Sequence, residues 1–366
     1  MEHIYLMTGY PGFLASSLIR QLIDDHQQDI KHIHLLVLPS QEKKAREEIK
    51  SFANKNSIPA NIFSIVIGDI TESGLAISSE VNESLQKSVT HVFHLAAIYD
   101  LAVPKELAFD VNVNGTKNVN CWVKTLDKLV RYTYFSTAYV SGTREGKIYE
   151  HELSMGQTFR NHYEQTKYEA ELLVENEKSS VPTTIIRPSI VKGNSKTGET
   201  IKFDGMYFML NFLDHLRFLP IMTYLGDGEP EGNFVPSDYV LKAVSYLATA
   251  TAGEGKTYHL TDPRPYKMRE LHKMLSESYL GKTPRGQVPL SLAKNALSVA
   301  RIRKWLQVEK EAMDYFEIMS SYDCSQAVAD LEGSGIKCPD LKDTIEPMIR
   351  FYRKYKHDFG KQIEIR

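Results

Sequence analysis

Through its first 190 residues the chain alternates short apolar, β-branched runs with amphipathic stretches, and few architectures accept that alternation. Strand runs read at Ile4–Met7, His34–Leu38, Phe63–Ile67, His91–Leu95, Tyr132–Ser136 and Thr183–Ile186. Between them, helical apolar spacing covers Phe13–Leu22, Glu42–Phe52, Glu106–Lys124 and Asn161–Lys178. Parallel strands need a crossover before they can pair, so the pattern predicts an α/β fold with a doubly wound parallel sheet. After Pro188 the alternation fails. Residues 193–205 read as loop, a Met- and aromatic-rich segment follows over Tyr207–Tyr224, and helices are expected at Met268–Tyr279, Ala293–Leu306 and Asp343–Tyr355. The division expected is a sheet domain over residues 1–190, with 226–262 returning to it. A smaller, mainly helical substrate-binding or cap region then comprises 191–225 and 263–366.

A length of 366 residues suits about two such units. Lys and Arg number 44 against 46 Asp and Glu, and a net charge of −2 supplies no field that would make nucleic acid the main partner. Cys121, Cys324 and Cys338 are too few and too scattered for a disulfide framework or a thiolate metal site, so a reducing compartment is expected. The pairs His32/His34 and His91/His94 fall on strands without third and fourth ligands of suitable type, and no metal is expected. Met1–Met7 has neither a cationic start nor a cleavage site, and the most apolar segment, Tyr207–Leu225, is interrupted by Asn211, Asp214, His215 and Arg217. These features predict a cytoplasmic protein, monomer or homodimer, with no stable membrane insertion.

Thr8-Gly9-Tyr10-Pro11-Gly12-Phe13-Leu14-Ala15 follows the first strand and opens the first helix. In that context Gly9 permits a tight turn, Gly12 admits a pyrophosphate to the backbone, and the small Ala15 allows close helix packing. Free N–H groups and the helix dipole then face the anion, although Pro11 contributes no donor. A dinucleotide is the expected ligand, which makes residues 1–190 an NAD(P)-binding Rossmann domain. Where an acidic residue would mark NAD, the second strand ends in Leu38-Pro39-Ser40-Gln41. No carboxylate opposes a 2′-phosphate there, and Ser40 with Lys43, Lys44 and Arg46 could hold one, so NADP(H) is favoured over NAD(H). Gly68-Asp69-Ile70 follows another strand and would set Asp69 beside the adenine amino group, unless it serves as a turn carboxylate.

Tyr-x-x-x-Lys occurs twice. Tyr163 and Lys167 lie one turn apart on the helix expected over Asn161–Lys178, where an ammonium beside the phenol would favour the phenolate and lower its pKa. Such a tyrosine exchanges a proton with a carbonyl or alcohol oxygen near neutral pH. Tyr352 and Lys356, in a basic, aromatic C-terminal stretch, read as a surface helix face. Before the first pair, Phe135-Ser136-Thr137-Ala138-Tyr139 brings hydroxyls to the carboxyl end of a strand, where open α/β sheets bind ligands. Thr137 or Ser136 could there donate to a substrate oxygen as charge develops on it.

Taken in order, Thr8-Gly9-x-x-Gly12-Phe13-Leu14-Ala15, His94-Leu95-Ala96-Ala97, Asn112-Val113-Asn114-Gly115-Thr116, Ser136-Thr137-Ala138-Tyr139-Val140, Tyr163-x-x-x-Lys167 and Arg187-Pro188-Ser189 resemble the extended short-chain dehydrogenases/reductases over roughly residues 1 to 262. Within that superfamily, Gly-Phe-Leu, the run Asn161–Lys167 with Glu169-Ala170-Glu171, and Arg187–Val191 look most like the thioester-reductase and fatty acyl-CoA reductase branch. The resemblance implies a catalytic set of Thr137, Tyr163 and Lys167, with Asn114 supporting a proton relay through a bound water. It also implies that His94, Leu95, Ala96 and Ala97 flank the adenosine and that Pro188 to Val191, with Ile190 among them, pass the nicotinamide amide, beside the contacts expected from Thr8 to Leu14 and from Asp69 and Ile70. Two departures stand out: Ala15 replaces the third glycine, and Leu38-Pro39 occupy the place where this branch often carries an arginine.

The expected reaction is hydride transfer between nicotinamide and a carbonyl or alcohol carbon of an apolar small molecule, an acyl thioester among the options. The Met- and aromatic-rich run from Phe203 to Tyr224 would suit an adaptable apolar pocket, or equally a plain core. Two alternatives remain open at this level. One is an NAD-dependent sugar-nucleotide epimerase or dehydratase; the other is a dinucleotide-sensing protein without catalysis, against which the intact Tyr163/Lys167 pair argues.

Overall fold

A computed structural model describes all residues except 1, 57, 100–102, 364 and 366. The first half runs β1 (His3–Thr8), α1 (Phe13–His26), β2 (Ile30–Val37), α2 (Glu42–Lys55), β3 (Phe63–Ile67), α3 (Ser79–Ser88), β4 (His91–His94), α4 (Lys105–Phe109), a π-helical turn (Asp110–Asn114), α5 (Gly115–Val123) and β5 (Arg131–Phe135). Then come β6 (Gly146–Ile148), α6 (His162–Glu175), β7 (Thr183–Pro188), β8 (Ile190–Lys192), α7 (Met206–His215), β9 (Tyr224–Leu225), β10 (Phe234–Pro236), α8 (Ser237–Thr249) and β11 (Thr257–Leu260). The chain ends with α9 (Met268–Leu280), β12 (Gln287–Val288), α10 (Leu290–Ser298), α11 (Ala300–Leu306), β13 (Ser320–Tyr322), α12 (Ser325–Asp330) and α13 (Ile345–Tyr355).

Seven strands form one sheet in the order β11-β7-β5-β4-β1-β2-β3. Every pairing in it is parallel. Strand period explains the layers: Tyr5 and Met7 face a core shared with Leu18 and Leu22 of α1 and Val240 and Val244 of α8, while Leu6 faces Val119, Trp122 and Val123 of α5 and Ala170 of α6. Full burial contributes about 1.5–3 kcal/mol for each such leucine or valine. Strand order reverses between β1 and β4, and the carboxyl ends of these two strands therefore open the crevice in which doubly wound sheets take ligands. β11 lies at one edge of the sheet beside β7, and α8 packs against α1.

Several expectations need correction. The segment expected as one helix over Glu106–Lys124 is interrupted by the π-helical turn, and that over Ala293–Leu306 is two helices broken at Val299, whose extended backbone (φ −80°, ψ 113°) cannot continue a helix. Tyr352 is not on a surface: it is 1% exposed and donates to Asn211 Oδ1 at 2.8 Å, while Lys356 Nζ donates to Asp214 Oδ1 at 2.8 Å. The run after Phe203 is largely core, with Phe203, Met206, Tyr207, Leu210 and Leu213 buried against α9 and α13. Among the described residues no helix is long and apolar enough to cross a membrane.

Candidate active site

The glycine turn links β1 to α1 at the reversal point. Gly9 has φ +85°, and a Cβ there would lie 2.8 Å from Ala96 N, so its lack of a side chain lets the loop press against the β4 loop. Gly12 differs from expectation: a Cβ there would meet Gly9 O at 2.6 Å, and its N–H is spent on that carbonyl at 2.8 Å. The loop closes on itself before any ligand is considered. What remains suited to an anion is the start of α1, which has no side-chain cap and no acidic residue in its first turn. Phe13 and Leu14 lie in that turn, partly buried, and Pro11 beside it is likewise partly buried. Tyr10 points elsewhere, buried at 6% in the core beneath α1.

Thr8 lies 1% exposed at the end of β1, its Oγ1 accepting from Ala96 N at 3.1 Å, and Leu95, Ala96 and Ala97 are partly buried beside it. Ser40 and Lys43 are exposed beyond β2. Nearby, Arg46 pairs with Glu42 and Lys44 with Glu48, which leaves Lys43 the cation of this run without an ion pair among the described residues. Asp69 Oδ1 accepts from both Thr71 N (2.9 Å) and Thr71 Oγ1 (2.8 Å), a turn contact, and Ile70 is 8% exposed in the core. Pro188 ends β7, and Ile190 and Val191 pair β8 with β10. Between them Ser189 Oγ is buried without a hydrogen-bond partner among the described residues.

Helix α6 starts sharply because Asn161 Oδ1 accepts from Glu164 N at 2.9 Å while Glu164 Oε2 accepts from Arg160 N at 3.1 Å. This fixes Tyr163 in the first turn and Lys167 in the second. Thr137, at the carboxyl end of β5, accepts from Tyr139 N at 3.3 Å and donates to Pro188 O at 3.5 Å, and its hydroxyl stands close enough to the Tyr163 phenol to stabilise the phenolate form. Ser136 is excluded as the oxygen donor, because its hydroxyl donates to Glu171 Oε2. Glu171 is fully buried and also accepts from Arg187 Nε at 2.8 Å and Nη2 at 2.5 Å.

Spacing alone misjudged the electrostatics. Lys167 Nζ donates to Tyr134 OH at 2.9 Å and to Phe135 O at 2.6 Å, and burial pushes its pKa down to about 7 against the pull of Glu171. Burial pushes Tyr163 up to about 12, with the neighbouring Thr137 hydroxyl pulling the other way. The lysine does not lower the phenol here, and Tyr163 is a proton-bearing phenol at neutral pH.

Asn114, expected to support a relay, is engaged elsewhere: its Nδ2 donates to Asp110 Oδ1 at 3.2 Å in an exposed bond of the π-helical turn. Asn112 faces inward, exchanging bonds with Ile98 N and O and donating to Thr166 Oγ1 at 3.0 Å. Sequence reasoning also passed over Tyr315, whose ring meets Tyr139 edge-on at 4.9 Å and whose hydroxyl donates to Glu164 Oε1 at 3.3 Å. No periodicity marks Tyr315, which arrives from a distant 3-10 segment, Glu311–Glu317. Tyr134 was legible as an inward strand position, and Glu171 as the residue four after Lys167. Among the described residues, no group of three or more His, Cys, Asp or Glu could hold a metal ion.

Comparison with known proteins gives this geometry a lineage. The fatty acyl-CoA reductase wat of Drosophila melanogaster is 26% identical over 278 residues, covering 67% of this chain and 53% of that protein. The non-canonical nonribosomal peptide synthetase cpsA of Aspergillus campestris is 25% identical over 327 residues, 84% of this chain and 29% of that protein. The chain thus spans about half of the first of these proteins and less than a third of the second. Among solved structures, the terminal R domain from the myxalamid PKS-NRPS biosynthetic pathway shares the fold, with a TM-score of 0.81, 23% identity and coverage of 98% of this chain and 92% of that one. The model of the NAD-binding male sterility protein family matches residues 7–244, from the glycine loop through α6 and into α8. With most of its length so matched, the chain belongs to the male sterility family, a branch of the extended short-chain NAD(P)-dependent reductases.

Proposed function

We propose that this chain reduces an acyl thioester of apolar character, using NADP(H) in preference to NAD(H), with Thr137, Tyr163 and Lys167 as its catalytic set. The observation that carries the reading is the Thr137–Tyr163 hydroxyl pair at the end of β5, one helical turn from a fully buried lysine. The residues fit a dinucleotide: an uncapped helix start free of carboxylates follows the glycine loop, and the orphan Ser189 hydroxyl lies in the Pro188–Val191 stretch. Residues Thr8 to Leu14 would hold the pyrophosphate, Leu95 to Ala97 and Asp69–Ile70 the adenosine, and Pro188, Ile190 and Val191 the nicotinamide side. Ser40 and Lys43 would take the 2′-phosphate, since no carboxylate sits in 38–41 to repel it.

When bound, the cofactor supplies the hydride. Tyr163 gives its phenolic proton to the carbonyl oxygen, and its raised pKa keeps that proton in place until the oxygen becomes basic. Thr137 Oγ1 donates to the same oxygen, stabilising charge as it develops. Lys167 would hold the cofactor ribose and support reprotonation of Tyr163. Reduction of a thioester releases a thiol and an aldehyde. Tyr139 and Tyr315 stand on the side of this centre toward the C-terminal region and would form an aromatic wall for the acyl chain. A reducing, cytoplasmic setting belongs to this reading, since three scattered cysteines make no disulfide framework.

The test is a panel of acyl-CoA thioesters and ketones with NADPH and NADH, read by nicotinamide absorbance. Medium- or long-chain thioesters with NADPH are expected to turn over. Tyr163→Phe should lower kcat by about a hundredfold or more while NADPH still binds. Undiminished turnover in that variant would remove Tyr163 as the proton donor, and preference for NADH would remove the role given to Ser40 and Lys43.

A further inference from the structure

Arg187 is a fully buried cation, 1% exposed, that lies outside the set assigned to catalysis. Strand alternation puts its side chain on the α6 side of β7, because Ile186 before it faces the core under α1 and α8. The guanidinium meets three parts of the chain. Its Nε and Nη2 donate to Glu171 Oε1 on α6 at 2.8 and 2.5 Å. Its Nη1 donates to the Glu150 carbonyl at 3.2 Å and lies 3.1 Å from His259 Nε2 on β11. The second Glu171 oxygen, Oε2, accepts from the Ser136 hydroxyl. Arg187, Glu171, Glu150, His259 and Ser136 are each at most 5% exposed.

A guanidinium only donates, so His259 Nε2 accepts and its Nδ1–H donates to the Asp323 carbonyl at 2.7 Å. Burial keeps that imidazole neutral, with its pKa pushed down to about 3. The fork cannot swing without breaking its bonds to His259 and the Glu150 carbonyl, and Glu171 cannot turn without releasing either Arg187 or Ser136. The end of β5 is consequently held at three successive residues. Phe135 O accepts from Lys167 Nζ at 2.6 Å, Ser136 Oγ donates to Glu171, and Thr137 Oγ1 donates to Pro188 O at 3.5 Å. Ser136 N adds a bond to Ile186 O at 2.7 Å. Residues 186 and 188 thus grip this corner from either side of Arg187, while α6, which carries Tyr163, Lys167 and Glu171, holds it from the other direction.

We infer that Arg187 is a positioning residue for the hydride-transfer centre: by holding Glu171 in one orientation it fixes Ser136, and with it the adjoining Thr137, so that the Thr137 hydroxyl and the Tyr163 phenol address one substrate oxygen. The inference rests on the catalytic set proposed above. A purely structural role for the same pair leads to a different outcome. An ion pair that only supports the fold costs stability when it is weakened. A misplaced donor slows the chemical step instead, because a displacement of about 1 Å can cost a hundredfold in rate. Since Arg187 acts through Thr137, its effect vanishes where residue 137 has no hydroxyl.

Ser136→Ala cuts the last link and leaves the ion pair intact, whereas Arg187→Lys keeps the charge and loses the fork. Each is made in the wild-type and in the Thr137→Ala background. Single-turnover rates of NADPH oxidation with decanoyl-CoA as probe, at saturating NADPH, are compared with the NADPH dissociation constant measured by fluorescence. In the wild-type background each replacement is expected to slow the rate by about tenfold and to change NADPH affinity by less than about twofold. In the Thr137→Ala background the same replacements should cost less than about twofold, as for residues that act as a unit. If Arg187→Lys does not fold, Ser136→Ala decides alone. Equal losses in the two backgrounds, an unchanged rate in Ser136→Ala, or a loss of affinity in place of rate overturns the inference. If the wild type reduces a ketone but no thioester, the substrate reading fails, and the same rate ratios with that ketone judge the inference. If Thr137→Ala matches the wild type, or neither substrate is reduced, the catalytic set and the inference fall together.

Discussion

Gly9 and Gly12 stand in one motif yet lack side chains for different reasons. Gly9 adopts φ +85° and touches the Leu95–Ala96 backbone, whereas Gly12 leaves room for the Gly9 carbonyl. Gly9→Ala should therefore destabilise the protein without any ligand, by about 1–3 kcal/mol from the left-handed backbone and the 2.8 Å approach to Ala96 N. Urea unfolding of the apo variant measures this. Unchanged stability with lost NADPH binding would mean that the space is reserved for the cofactor rather than for the neighbouring loop. The same scale shows what residue patterns carry. The pairing of Tyr163 with Lys167 on one helix was legible from spacing, because positions four apart share a face. Where the lysine tip ends was not, because Tyr134 and the Phe135 carbonyl on β5 compete for its protons. Ser136 and Thr137 were likewise indistinguishable until Glu171, buried beneath β5, took the serine proton.

At the scale of elements, strand runs and helix starts were readable because each is written in local sequence: a period of two, an Asn cap, a glycine turn. The interruption of α4–α5 was not. A π-helical turn advances the chain by one extra residue and re-aims the side chains beyond it, and it leaves no compositional mark. Its effect is to turn Asn112 inward and Asn114 outward, the reverse of the role assigned to Asn114 from resemblance. Asn112→Ala would leave Ile98 N and O without this partner and remove the bond to Thr166, and a loss of about 2–4 kcal/mol is expected from the three broken bonds. Asn114→Ala removes one exposed contact to Asp110 and should change stability by less than about 0.5 kcal/mol. Thermal melts of the two variants decide the matter. Equal losses, or a larger one at Asn114, would contradict the inward placement of Asn112.

Across the whole molecule, the polar residues that interrupt the apolar Tyr207–Leu225 run prove to be the pins of the C-terminal region. Asp214 accepts from Lys356 Nζ and from Tyr279 OH at 2.6 Å, and Asn211 accepts from Tyr352, so α7, α9 and α13 are tied by side chains far apart in sequence. Such long-range partners cannot be read from local pattern, and the basic, aromatic C terminus therefore looked like a surface. The histidines give the corresponding global consequence. Burial pushes His91, His94 and His259 down to about 3 and His34 and His272 down to about 4. Their unfolded value is about 6.5, so unfolding takes up protons below that pH, and stability present above it is lost as pH falls toward 4. Glu150 and Asp204 run the opposite way, because burial raises them to about 7 and about 6 and unfolding releases their protons. The histidines outnumber the carboxylates, and a net uptake of about three protons is expected at pH 5.5, each worth about 1.4 kcal/mol per pH unit. Unfolding enthalpies in buffers of different ionisation heat measure that uptake directly. Proton release at pH 5.5, or stability that rises on acidification from pH 7 to 5, would show that the imidazoles are not held neutral by the sheet and cap that enclose them.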